Sequence, residues 1–167
     1  FDVTTGMQIA KLTAADAAQL DQFGVSVAIS GTTAIVGANG DDDNGTDSGS
    51  AYLFDTTTGT QIAKLTAGDG AGDDRFGVSV GISGTTAIVG AFRDDDNGSS
   101  SGSAYLFDTT TGNQLFKLTA SDAVTQDNFG FSVGISGTTA IVGAFRDDDN
   151  GSNSGSAYLF EIGRAHV

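Results

Sequence analysis

One stretch, Phe76 to Leu106 (FGVSVGISGTTAIVGAFRDDDNGSSSGSAYL), recurs in this chain as three near-identical copies, and everything else is spacing between them. The opening phenylalanine falls at Phe23, Phe76 and Phe129, and the closing Ala-Tyr-Leu-Phe ends at Phe54, Phe107 and Phe160, so the period is 53 residues without insertion or deletion. A period of that length built of strand patterns predicts an all-β, propeller-type array. Each unit there cannot bury its apolar face alone and must stack on its neighbours.

Four short strands are predicted per period, in the middle copy Phe76 to Ser83, Thr86 to Phe92, Ser103 to Asp108 and Asn113 to Thr119. The first alternates Val78, Val80 and Ile82 with Ser79 and Gly81, one bulky and one small face. The second is a near-continuous apolar run suited to burial on both faces, and the third carries Tyr105 and Phe107 on one side. The last is amphipathic. Its Lys117, matching Lys11 and Lys64, suits an outer edge where charge discourages pairing with another chain. A four-stranded antiparallel meander is a propeller blade.

The charge belongs to loops. Acidic residues number 21 against 7 basic ones, 20 of the acidic residues are aspartate, and the net charge is −14. Aspartate favours turns and hard-cation sites over helices, and a negative chain argues against nucleic acid or an anionic membrane as partner. No apolar run approaches the length of a membrane span. With no cysteine and only His166, neither a Ser-His-Asp nor a Cys-His arrangement can be built, so an enzyme is not expected.

The ends bear on blade number. Phe1-Asp2 aligns with Phe54-Asp55, so the chain opens in mid-repeat and reads as a fragment of a larger propeller. Residues 1–160 form the repeat segment. Residues 161–167 (EIGRAHV) depart from it, resemble translated sequencing-adapter DNA, and are set aside from Ile162 onward. The third copy lacks its outermost strand, while Met7 to Thr13 is an orphan copy of that strand, the arrangement of a ring closed by its own two ends. About three blades are few for a closed ring. An open arc is expected, with unpaired blade edges and faces through which chains self-associate.

Phe-Gly-Val-Ser-Val, Ile-Val-Gly-Ala and Gly-Ser-Ala-Tyr-Leu-Phe resemble the FG-GAP repeat, the unit of the integrin alpha-subunit propeller and of many bacterial surface proteins. The matching residues are Phe23-Gly24 with Val36-Gly37-Ala38, Phe76-Gly77 with Val89-Gly90-Ala91, and Phe129-Gly130 with Val142-Gly143-Ala144. Asn39, Phe92 and Phe145 stand where the family name has proline. The resemblance implies a propeller used outside the cell or on its surface for adhesion or ligand binding, often with calcium. The family's calcium motif between first and second strands is missing; Ser30-Gly31-Thr32-Thr33 and its copies stand there.

The acidic loops Asp41-Asp42-Asp43-Asn44-Gly45, Asp94-Asp95-Asp96-Asn97-Gly98 and Asp147-Asp148-Asp149-Asn150-Gly151 lie between second and third strands. Calcium takes six to eight hard oxygens, which alternate carboxylates on an irregular loop can supply. The candidate ligands are Asp41, Asp43, Asp47, Asp94, Asp96, Asp147 and Asp149, with Asp47 unique to the first copy. Against an EF-hand-like spacing the first ligand position fails, being Gly40, Arg93 and Arg146. The other reading is a soluble turn, with Arg93 and Arg146 pairing locally. A second acidic set, Asp16 and Asp21, Asp69 with Asp73 and Asp74, and Asp122 and Asp127, reads as turn capping more readily than as metal ligation. The tyrosines Tyr52, Tyr105 and Tyr158 read as packing between blades; Phe92 and Phe145, at a loop mouth, read equally as packing or as recognition surface. The function these features predict is a non-enzymatic binding or adhesion module for a protein or glycan ligand. The alternatives are an accessory domain of a larger secreted enzyme or a spacer without ligand.

Overall fold

The computed structural model describes residues 5–163; Phe1, Asp2 and residues 164–167, with His166, lie outside them. Eleven strands and no helix occur among the described residues. They form three antiparallel sheets. The first blade runs β1 (Ser26–Ser30), β2 (Thr33–Ala38), β3 (Ser50–Asp55), β4 (Gln61–Leu65), and the second β5 (Ser79–Ser83), β6 (Thr86–Ala91), β7 (Ser103–Asp108), β8 (Gln114–Leu118). The third has three strands, β9 (Phe129–Ser136), β10 (Thr139–Ala144) and β11 (Ser156–Glu161), with β11 at its outer edge. The register repeats with the sequence: Ser26 faces Gly37 and Ser79 faces Gly90, while Tyr52 faces Lys64 and Tyr105 faces Lys117.

In the middle copy the first strand starts three residues later than its apolar pattern. Gly77 takes a left-handed φ of +88°, and Phe76 leaves its own sheet to donate its N–H to Ser48 O of the preceding blade. The Phe-Gly and Val-Gly-Ala signatures mark this joint. A Cβ on Gly37 would lie 1.9 Å from Gly77 O, and one on Gly77 would lie 2.2 Å from Ser50 O, so blades meet backbone to backbone where only glycine fits.

Side chains fill the rest of each joint asymmetrically. Blade one offers Ile35, Ala51 and Leu53, with Leu65 and Ala67 from its outer strand and the turn beyond; blade two answers with Phe76, Ile82, Val89, Tyr105 and Phe107. Blades two and three repeat the arrangement with Ile88 and Leu106 against Phe129 and Val142. Each blade therefore has a leading and a trailing face of different composition. The two faces without a neighbour are exposed: Val27 and Ile29 on blade one are 69% and 66% accessible, and Leu159 on blade three is 73% accessible where Leu53 and Leu106 are 0% and 1%. Burying one such side chain is worth about 1.5–3 kcal/mol.

Two boundary expectations are revised. Met7–Thr13 forms no ladder, because no sheet edge lies beside it; it rests on the first blade instead. Leu12 and Ala14 pack there with Val36, Tyr52 and Phe54, in the positions that Leu65 and Ala67 hold one period later. At the other end Ile162 is 8% accessible, joins the core between blades two and three, and donates its N–H to Thr138 O as Thr56 does to Thr32 and Thr109 to Thr85. Repeat-like backbone thus continues one residue into the segment set aside from the sequence.

Candidate metal centre

The acidic loops are compact turns closed on themselves. Gly49 donates to Asp41 O at 2.8 Å and Ser48 to Gly45 O at 3.0 Å, and the Asp42 carboxylate receives the Asp47 N–H at 2.7 Å. The loop also braces the next blade: Asp73, Arg75 and Phe76 donate their backbone N–H groups to Thr46, Asp47 and Ser48. These bonds are repeated in the second loop, toward Gln126, Asn128 and Phe129. The Asn-Gly pair does not form a two-residue hairpin, since Gly45 sits at φ +124° inside the longer turn.

This folding gathers three carboxylates per copy within 4.8 Å of one another: Asp16, Asp41 and Asp43; Asp69, Asp94 and Asp96; Asp122, Asp147 and Asp149. Six of the seven sequence candidates are there. Asp47 is placed elsewhere, in an ion pair with Arg75 at 2.8 Å. The third member of each group comes from the acidic set ahead of each Phe-Gly, which the sequence divides in a way its composition does not reveal. Asp21, Asp74 and Asp127 cap turns by accepting the N–H groups of Ala18, Ala71 and Val124, whereas Asp16, Asp69 and Asp122 turn toward the loop.

In two copies a cation already stands among the carboxylates. Lys64 Nζ lies 2.7 Å from Asp16, 3.0 Å from Asp41 and 2.5 Å from Asp43. Lys117 Nζ lies 2.7 Å from Asp69, 2.9 Å from Asp94 and 2.5 Å from Asp96. The lysines read from the sequence as edge charges thus point inward from β4 and β8, their side chains only 18% and 19% accessible. The facing tyrosine completes the site: Tyr52 Oη donates to Asp41 at 2.8 Å, and Tyr105 Oη lies 2.8 Å from Asp94 and 3.0 Å from Asp69. Its ring stacks edge-on against the Phe of the Phe-Gly pair, so the tyrosines are packing residues that also hold the carboxylates.

Electrostatics follow the occupancy. Hydrogen bonding from Lys64 holds Asp16 below the usual carboxylate range. Burial alone would raise Asp41 and Asp69, but bonds from the lysine and tyrosine outweigh it and hold both down. In the third copy Tyr158 Oη lies 2.7 Å from Asp147 and 3.0 Å from Asp122, and among the described residues no ammonium pairs with them. There the negative charges of Asp147 and Asp122 push Asp149 upward.

A second feature comes from positions where the copies differ. Phe92 and Phe145 flank Phe131, with ring centroids 5.5 Å and 4.5 Å from it, and Arg93 and Arg146 lie over Phe92 and Phe145 at 5.4 Å and 5.3 Å. The cluster borders a cavity of about 150 Å³, which Gln126 and Asn128 also line. Arg93 is paired with Asp73 at 2.8 Å. One period on, Gln126 replaces Asp73, and Arg146 makes no ion pair among the described residues.

The profile of a family described as FG-GAP repeat matches residues 7–54, 60–107 and 113–160. Each match begins with the outer-strand sequence of one blade and continues through three strands of the next. Comparison with curated protein sequences finds no match. Among solved structures, the Kuenenia stuttgartiensis hydrazine synthase is similar in fold, at 15% identity and a TM-score of 0.50 over 82% of this chain. The match spans 32% of that longer chain.

Proposed function

This chain belongs to the FG-GAP repeat family, and from that premise we propose that it is a non-enzymatic binding module working outside the cell or on its surface. The observation that carries the reading is the Phe92, Phe131 and Phe145 cluster with Arg146 over it. Aromatic faces stack on sugar rings or apolar side chains, and a guanidinium without an acidic partner recognises a carboxylate in bidentate fashion. The cavity holds one protruding group and not a whole ligand, so the partner is an acidic glycan or a protein surface offering a carboxylate.

Calcium has a narrower place in this proposal than the loop sequences suggest. An ammonium occupies the carboxylate groups of the first two copies, and Asp122, Asp147 and Asp149, which pair with none among the described residues, are the group proposed to hold an ion. Three aspartates supply part of a calcium shell, with water completing it, and the expected role is to stiffen the third loop beside the aromatic cluster.

The test is binding of the whole chain to immobilised uronate-bearing and neutral glycans and to surface proteins. Saturable binding to an acidic partner that falls at least tenfold in Arg146→Ala and Phe145→Ala is the expected result. Absence of saturable binding to any of them would leave a structural spacer as the better account.

A further inference from the structure

The loop mouths of the two joints share one backbone geometry and differ in three side chains. Asp47, Asp73 and Arg75 stand at the first; one period on, at the second, stand Ser100, Gln126 and Asn128. All six take a left-handed φ, +56°, +71° and +60° in the first joint and +53°, +72° and +56° in the second. Their bonds across the joint repeat as well, Asp73 and Gln126 each donating N–H at 2.8 Å, and Arg75 and Asn128 at 3.1 Å. In the first joint Arg75 pairs with Asp47 at 2.8 Å and with Asp73 at 3.2 Å, while Arg93 Nη1 reaches both oxygens of Asp73 at 2.9 and 2.8 Å. The Asp73 carboxylate is held between two guanidiniums. In the second joint the frame remains without those charges, and there the cavity of about 150 Å³ opens, lined by Ser100, Gln126 and Asn128 with Phe145 and Arg146.

We infer that this cavity takes a terminal hexuronate residue of a glycan, whose carboxylate sits on Arg146 where the Asp73 carboxylate sits on Arg93. The first joint is the template for the ligand of the second. Arg146 donates its backbone N–H to Asp127 O at 3.3 Å as Arg93 does to Asp74 O, and its guanidinium lies over Phe145 as that of Arg93 lies over Phe92. Its counterpart of Asp73 is the neutral Gln126, and it makes no ion pair among the described residues. The planar guanidinium matches the two oxygens of an incoming carboxylate.

What surrounds that guanidinium favours a sugar over an acidic protein side chain. An aspartyl or glutamyl group would need the guanidinium alone, whereas the Ser100 hydroxyl and the two amides are groups that pair with hydroxyls. Asn128 donates Nδ2 to Phe92 O and Ser100 O at 3.2 and 3.3 Å, so what it can still offer is Oδ1, an acceptor that suits a hydroxyl and repels a second carboxylate. A uronate carries one carboxylate and several hydroxyls on a single ring, and its apolar face suits the Phe145 ring. The inference rests on the binding reading and narrows it to a carbohydrate with an acidic end.

The experiment titrates the full chain by calorimetry with a trisaccharide ending in glucuronate, its glucose-ended counterpart and an aspartate-rich peptide. The first should bind saturably and the other two at least tenfold more weakly. Gln126→Asp restores the internal carboxylate, satisfies Arg146 from within and should weaken glucuronate binding at least tenfold; the uncharged Gln126→Asn should keep the affinity within about threefold. Gln126 sits at φ +72°, a conformation that aspartate and asparagine tolerate better than glutamine, so both variants should keep the circular dichroism of the blades. Saturable glucuronate binding that Gln126→Asp leaves intact, or a peptide that binds as tightly as the glycan, would overturn this inference while the binding reading stood. No saturable binding to any of the probes would overturn both.

Discussion

The most informative residue is the inward lysine of β4 and β8. Removing one partner of a buried ion cluster leaves uncompensated charge, so Lys117→Met should destabilise the chain by about 1–3 kcal/mol in urea unfolding, discounted because Asp96 is largely exposed. The same variant should acquire calcium-dependent stability at its second carboxylate group. The pH response separates two classes of aspartate. Asp16, Asp41 and Asp69 are held below their ordinary range, so their contribution is present above about pH 3.9 and lost as pH falls through the folded value. Asp74 is the reverse. Burial, with Asp94 and Asp95 nearby, pushes it up to about 6, so its contribution is full below pH 3.9 and lost as pH rises to 6. Asp74→Asn, which keeps an acceptor for Ala71 N–H, should raise the melting temperature at pH 7 and change it little at pH 4. Melting curves at the two pH values check both signs.

At the scale of the element, strand positions were legible in the sequence to within one to three residues, because period-2 alternation and the Ser-Gly-Thr-Thr turns are local signals. The loop carboxylates were legible as a cluster for the same reason. What no local signal carried was the company they keep. Asp69 and Asp94 are 25 residues apart, and Lys117 arrives from the far side of β7, so the sequence could not distinguish Asp69, which turns toward the loop, from Asp74, which caps a turn. Asp47 is paired with Arg75 of the next blade's lead-in, a partner that no local signal announces. Met7–Thr13 carried a strand's sequence without a strand's neighbour. Its ladder depends on an edge, and an edge is a property of the array. Deleting residues 5–13 should expose Val36 and Tyr52 and lower the denaturation midpoint, with far-ultraviolet strand signal nearly unchanged.

Taken as a whole, the molecule is a series of joints of one plan, each made of one blade's trailing face, the next blade's leading face and a backbone contact between glycines. The glycine contact and the buried apolar positions of a joint do not refer to which blade it is; only side chains at its loop mouth differ, such as Asp47 with Arg75 and Phe131 with Phe145. Excising one period, residues 54–106, joins Phe54 to nothing new: Phe107 takes its place, and the glycine contact and apolar packing of the remaining joint are retained, with Asn128 in place of Arg75 opposite Asp47. That shortened chain should fold cooperatively, with an unfolding enthalpy reduced by roughly a third, as calorimetry would read it. The glycine contact gives this a genetic meaning. Because blades recognise one another through atoms every copy shares, unequal recombination in units of one period alters the length of the array without breaking its grammar, and blade number becomes a quantity that copying errors can tune.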